Sequence, residues 1–194
     1  MIRAIIYLFP IMLSAAALAQ VKPVPPNARL SPGAALLFGG VKSNASVAEK
    51  NEVFKGLALA LGADKKSFES DGSPVDAKVY PTDINGDGQE ELFVVMGSVA
   101  LYGNTGQGFE LHMRDKSGKL KLQPDISGTG IPLILTVKNL GYPDILLGGP
   151  GFEHPVYRWN GNNYTMNRKV KDGAPSSKHA IDVESSSKSY TSSR

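Results

Sequence analysis

The chain has no cysteine in its 194 residues. That excludes a disulfide framework and excludes anchoring as a lipoprotein. It has no basic block either: 21 Lys and Arg are spread along its length and the net charge is +3, so nucleic acid is not implied as a partner. It lacks an uninterrupted apolar run of the ~20 residues that a spanning helix needs, because Pro10 breaks the longest one. His112, His154 and His179 show no metal-ligand spacing, and no nucleophile stands beside a base, so no catalytic residue is assigned.

What is present at the start reads as an address. Arg3 supplies a positive n-region, residues 4–13 an apolar h-region, and Ala17-Leu18-Ala19 before Gln20 an A-x-A cleavage site, which together predict a bacterial Sec signal peptide over residues 1–19. A membrane-anchoring helix is the competing reading. The predicted location is periplasmic or secreted, with no stable membrane anchor after cleavage. Residues 20–33, with Pro23, Pro25, Pro26 and Pro32, read as a Pro-rich linker. A single domain is expected over residues 34–171, and the Ser-rich stretch 172–194, poor in large apolar groups, reads as a disordered tail.

The stretch Asp83-Ile84-Asn85-Gly86-Asp87-Gly88-Gln89-Glu90-Glu91 carries the most specific chemistry. Oxygen-bearing side chains at positions 1, 3, 5 and 9, with a Gly at 6 for a sharp turn, suit a hard cation such as Ca²⁺. Asp83, Asn85, Asp87 and Glu91 can converge on one ion, and the carbonyl of Gln89 can add another oxygen. An NGDG run between strands is also ordinary turn chemistry. A turn has no use for the outer acids, however, and three uncompensated carboxylates repel one another. An EF-hand does not fit, since position 12 is Val94 in a strand-like run, where that motif needs a bidentate Glu.

At these residues the string DINGDGQEELFVV resembles the calcium loop and following strand of FG-GAP and VCBS-type repeats, the blade units of integrin-α-like propellers. The resemblance covers residues 79–114, with a weaker echo to about 165. It implies that Asp83, Asn85, Asp87 and Glu91 are side-chain ligands of Ca²⁺ and that the ion pins one blade strand to its neighbour.

Upstream, Ser46-Val47-Ala48-Glu49 has capping-box spacing. Phe54, Leu57, Ala58 and Leu61 follow on one face and Gly62 stands as a C-terminal cap, which predicts an amphipathic helix over residues 46–61 packed on a sheet. Residues 35–38 are a short strand or a helical turn. From Val75 on, short apolar runs are broken by Gly, Pro, Asn and Asp about every ten residues, the pattern of a mainly β, antiparallel domain. Strands are expected over 77–80, 91–96, 99–102, 108–114, 120–122, 131–137, 144–147, 155–159 and 163–167. Residues 88–94 recur, 53 positions on, as residues 141–147, and Gln107-Gly108-Phe109 is echoed by Asn162-Asn163-Tyr164. In the second unit Thr136, Lys138 and Leu140 occupy the ligand positions, so its metal site is lost. Blade-like units fit this period, as does chance likeness between strand-and-turn segments. Two units cannot close a propeller of ~4–8 blades, which leaves a two-sheet β domain or an assembly of chains.

Two further groups of residues hold possible chemistry. Glu153 and His154 lie in a Gly/Pro loop and could act as an acid-base pair of a periplasmic hydrolase. Tyr157, Trp159 and Tyr164 flank an Asn-Gly turn and are either core or a sugar- or protein-binding platform. The sequence is therefore expected to encode a non-enzymatic, exported calcium-binding module that binds a protein or cell-wall partner, such as an inhibitor or immunity protein, with the hydrolase as alternative.

Overall fold

A computed structural model describes residues 29–174 and 178–194. The predicted signal peptide, residues 1–19, lies outside the described residues, as does the Pro-rich segment up to residue 28.

The protein is mainly β. One sheet runs in the order β1 (Ala60–Leu61), β2 (Phe68–Ser70), β3 (Ser73–Thr82), β4 (Glu91–Gly97), β5 (Gln107–Arg114) and β6 (Leu120–Leu122), with β7 (Gly128–Thr129) also paired to β5. The second runs β11 (Tyr164–Lys171), β10 (Glu153–Trp159), β9 (Tyr142–Gly148), β8 (Ile131–Asn139) and β12 (Ile181–Asp182). Every pairing is antiparallel. Each sheet therefore holds a four-stranded meander, β3 to β6 and β8 to β11, as short strands joined by Gly- and Asn-rich turns favour.

Alternation along β4 and β9 decides how the sheets stack. Leu92, Val94 and Met96 share one core with Leu37, Phe38, Val53 and Leu57 of the N-terminal helical segment. Phe93 points the other way, into a second core with Phe109, Leu111, Met113, Ile145 and Leu147. Leu146 belongs to a third, with Leu135 and Val156. With the 53-residue offset, Leu92 and Val94 correspond to Ile145 and Leu147, and Phe93 to Leu146. The sheets thus stack front to back: the second sheet presents to the shared core the face that the first turns toward the helices. Each large side chain fully buried there contributes ~1.5–3 kcal/mol over leaving it exposed.

Four expectations change. The helix predicted over 46–61 is α2 (Val47–Gly56), following α1 (Pro32–Leu37). The capping box is present, with the Ser46 hydroxyl accepting from the Glu49 N–H and the Glu49 carboxylate from the Ser46 N–H. The far end is earlier than expected because Leu57, Leu59 and Leu61 also alternate as a strand does and are drawn into the first core. Ala58, at φ 53°, makes the turn that Gly62 was expected to make. Residues 99–102, expected as a strand, form a helical turn, α3 (Val99–Tyr102), closed by Tyr102 N–H to the Ser98 carbonyl at 3.0 Å; the hairpin joins β4 to β5 instead. The echo of Phe109 in Tyr164 does not hold in space, since Phe109 lies on the third strand of its meander and Tyr164 on the fourth.

The fourth change is at the end expected as a disordered tail. Ile181 and Asp182 pair with Ile134 and Leu133 of β8. Asp182 then caps α4 (Val183–Ser192), its carboxylate accepting from the Ser185 N–H and hydroxyl. Val183 is buried in the shared core, and the helix lies against β3 and β8. A Ser-rich composition hid this because one valine in register, with a good N-cap, is enough to dock a short helix on an existing sheet. Deletion of residues 181–194 is expected to lower unfolding stability in urea by at least ~1.5 kcal/mol, the value of one buried Val. An unchanged midpoint would mean that the strand and helix do not hold the sheets.

Candidate metal loop and the groove beside it

The loop between β3 and β4 is built by its own acids. One carboxylate oxygen of Asp83 accepts from the Gly86 and Asp87 N–H groups at 2.8 and 3.0 Å, and the other from Gly88 N–H at 3.0 Å. Asp87 accepts from Gln89 N–H at 2.8 Å and from the Asn85 amide at 2.8 Å. Gly88 stands at φ 80°, a conformation that penalises any side chain. Strand alternation then places Glu90 and Glu91 on opposite faces.

Glu90 is 2% exposed and clips the N-terminal segment to the loop. It accepts from the Ser43 hydroxyl at 2.6 Å and from Asn44 N–H at 3.0 and 3.1 Å. Glu91, 3% exposed, turns toward the second sheet and accepts from Ile84 N–H at 2.9 Å. Burial pushes its carboxyl up to about 8; the Ile84 bond works the other way, and the charges of Asp87 and Asp83 add to the rise. Tyr142, at the start of β9, meets the Asn85 side chain; burial, then the Asp87 charge, raise its hydroxyl above the ordinary range. The loop is thus in contact with both sheets.

The sequence-predicted donors Asp83, Asn85, Asp87, Gln89 and Glu91 all lie on this one turn and the strand it enters. Among the described residues no group of three or more His, Cys, Asp or Glu side chains is drawn together as a formed metal site; the Asp83 and Asp87 oxygens hold the loop's own N–H groups. The donor set nonetheless fits a hard cation in chemistry. It is all oxygen, and among the described residues Asp83, Asp87 and Glu91 have no Lys or Arg in an ion pair.

The second sheet supplies a control within the same molecule. Asp144 stands 53 residues after Glu91 and is 0% exposed. It receives the guanidinium of Arg158 in a two-pronged bond, 2.9 and 2.9 Å, and that of Arg168 at 2.7 Å. Burial alone would raise the Asp144 carboxyl, but the arginine hydrogen bonds and charges outweigh it and hold it below the usual range. Val156 pairs with Leu146 on β9 as Leu111 pairs with Phe93 on β4, so two residues on, Arg158 corresponds to Met113. The carboxylate is compensated in one sheet, and the matching strand of the other offers a thioether. Sequence reading passed over the arginine pair, for which the signal was an acid inside the apolar run Pro143-Asp144-Ile145-Leu146-Leu147.

Glu153 and His154 are not brought together. They are neighbours on β10, where successive side chains point to opposite faces; Glu153 is exposed, while His154 is buried and sits 3.5 Å from Asp172.

Beside the loop a groove encloses about 830 Å³, with Gln89, Gln123, Tyr142, Trp159 and Asn162 among its walls. Gln123 and Pro124 reach it from the point where the fourth strand of the first meander is broken. From Leu122 to Gly128 the chain takes six steps, while their partners on β5, His112 and Phe109, are three apart. The surplus bulges out, held by Gln123 N–H to the Leu111 carbonyl at 2.8 Å and by Leu111 N–H to the Ser127 hydroxyl at 3.0 Å, with Ile126 plugged into the shared core. Trp159 stacks on Tyr142 with ring centres 4.6 Å apart and meets Tyr164 edge-on at 5.5 Å. Tyr164 is core, and its hydroxyl donates to the Pro143 carbonyl at 2.8 Å; Tyr142 and Trp159 are half-buried walls.

The Asp144 pairs generate a pH prediction. A carboxyl held low when folded binds its proton more readily when unfolded, so its stabilisation is present above the unfolded pKa and is lost as pH falls through the folded value. Asp144→Asn is expected to cost ~1.5–3 kcal/mol at pH 7 and to flatten the acid limb of stability against pH, measured by urea unfolding at stepped pH. An acid limb that keeps its slope would assign it to other carboxylates. The chain matches no family model, no curated protein and no solved structure, so the loop, the arginine pair and the groove stand on their own geometry.

Proposed function

We propose that the chain is an exported, non-enzymatic β module of FG-GAP- or VCBS-like blade units. In this reading its 83–91 loop holds Ca²⁺ and its surface engages a protein or cell-wall partner, an inhibitor or immunity role being one such use. One observation carries the metal: Glu91 is buried near Asp83 and Asp87 with no basic side chain to compensate it, whereas the corresponding Asp144 has two arginines. An uncompensated buried carboxylate is costly; a proton or a divalent cation relieves that cost, and the two further acids beside it, Asp83 and Asp87, favour the cation, which compensates all three. Asp83, Asn85, Asp87 and Glu91 would hold the ion with the carbonyl of Gln89, and the ion would tie the end of β3 to the start of β4. The front-to-back stacking of two meanders supports the blade reading, since successive blades stack in that manner. Export rests on the predicted signal peptide. No helix among the described residues is long and apolar enough to cross a membrane. The hydrolase reading has no comparable support, given the opposed directions of Glu153 and His154.

Calcium in the loop would stabilise the native state by about 2.7 kcal/mol at a hundredfold excess over Kd. A melting series with added calcium and with chelator is expected to show that shift. Asp83→Ala with Asp87→Ala is expected to abolish it, and Asp144→Asn to keep it on a less stable background. Melting that ignores calcium, with no heat in a calorimetric titration, would leave the loop as a polar turn. Intact mass of the exported protein is expected to place the first residue at Gln20; a mass retaining residues 1–19 would overturn the address.

A further inference from the structure

We infer that the groove beside the loop is a binding site for a glycan, a chain of linked pyranose rings; this deepens the reading of the protein as a partner-binding module and rests on it. Four observations converge. The groove's volume, about 830 Å³, falls within the ~300–1,000 Å³ of ligand sites. One wall includes Gln123 and Pro124, at the start of a break in the fourth strand of the first meander, where β11 of the second sheet runs on with a one-residue register shift only. Departures of this kind re-aim side chains near functional sites. Its walls combine aromatic surface, Tyr142 and Trp159, with the amides of Gln89, Gln123 and Asn162. Gln123, finally, carries the only buried side-chain oxygen or nitrogen among the described residues that lacks a hydrogen-bond partner.

A buried acceptor without a donor is a standing cost that a bound donor removes. The terminal torsion of a Gln side chain is soft, and rotation of the Gln123 amide is the step by which that oxygen would meet a group in the groove. Sugars present what such a wall requires. Their hydroxyls and acetamido N–H groups are donors for amide oxygens, and the C–H faces of their rings cover half-buried aromatics whose polar ends remain wet. Of the four charged residues at the rim three are already paired, Lys121 with Asp115 at 3.1 Å and Arg114 with Glu49 at 2.7 Å; among the described residues the exposed Lys116 is left without an ion pair, a single positive charge against which an acidic chain would have no second partner. A neutral, polar, ring-bearing chain matches this lining better than an acidic peptide does.

The test uses the full mature chain and the fact that Trp159, a groove residue, is its single tryptophan, so with calcium held constant a change in emission on adding a sugar reports on that wall. The probes are the β-1,4-linked tetramer of N-acetylglucosamine and cellotetraose, titrated with calcium present. The expected result is a saturable change in Trp159 emission with at least one tetramer, matched by calorimetric heat. The acetylated tetramer binding alone would identify an amide-bearing glycan, and both binding equally a general pyranose site. Trp159→Ala removes a side chain packed on Tyr142 and Tyr164 and risks unfolding, so Gln123→Leu and Asn162→Ala carry the decision. Each is expected to weaken binding by about tenfold while leaving the melting temperature within the range of ordinary surface changes. The assignment is overturned if neither tetramer alters emission or gives heat, or if binding is untouched by both variants. A null titration on protein that still melts higher with calcium sinks the groove and spares the metal loop. Glycan binding without any calcium response does the opposite.

Discussion

Front-to-back contact between the sheets is the constraint on which the other features depend. Phe93, Phe109, Leu111 and Met113 on one side, and Ile145 and Leu147 on the other, are nearly solvent-free. Side-chain direction alternates strictly along a strand, so sinking Phe93 and Ile145 in one core forces Leu92 toward the helices and Leu146 away from both. The consequence for polar residues is equally strict. Glu91 is two residues before Phe93 and must face the second sheet; Asp144 is two before Leu146 and must face away from the first. Two acids at matching positions thereby meet different neighbours, and only the outward one has arginines within reach.

That division explains how much could be read from the chain alone. The β class, the capped helix and the position of the loop follow from local patterns: alternation, an S-x-x-E box, and Asp and Gly at turn spacing. Long-range choices were hidden. Whether residues 57–61 end a helix or begin a strand is undecided by periodicity, since Leu57 and Leu61 satisfy both, and the first core resolves it. Val183 has no meaning in a Ser-rich stretch until β3 and β8 present a surface for it. The 99–102 run has strand composition and becomes a helical turn because Ser98 and Gly106 close on each other, with Ser98 N–H bonded to the Gly106 carbonyl at 2.9 Å.

The candidate site divides in the same way. Its five candidate donors could be proposed from the sequence because they fall within one nine-residue stretch. The arguments that give them weight, the burial of Glu91 and the contrast with Asp144, required knowing which faces pair. The broken fourth strand was invisible, since Gln123-Pro124-Asp125 reads as an ordinary turn; only the register of His112 with Leu122 and of Phe109 with Gly128 shows that residues are in surplus there.

Loop and groove also share structure. Gln89 belongs to both: its carbonyl is a donor candidate for the ion, and the residue lines the groove. Tyr142 bridges them from the other sheet, with its hydroxyl at Asn85 and its ring against Trp159. A cation that fixed Asp87 and Gln89 would therefore fix one wall of the groove and, through Asn85, the seat of a second. Coupling requires a ligand to favour one arrangement over another. A cation that moved Gln89 and Tyr142 from the places the self-bonded loop gives them would supply that difference, and occupancy of the loop would then bear on the shape that a bound chain meets.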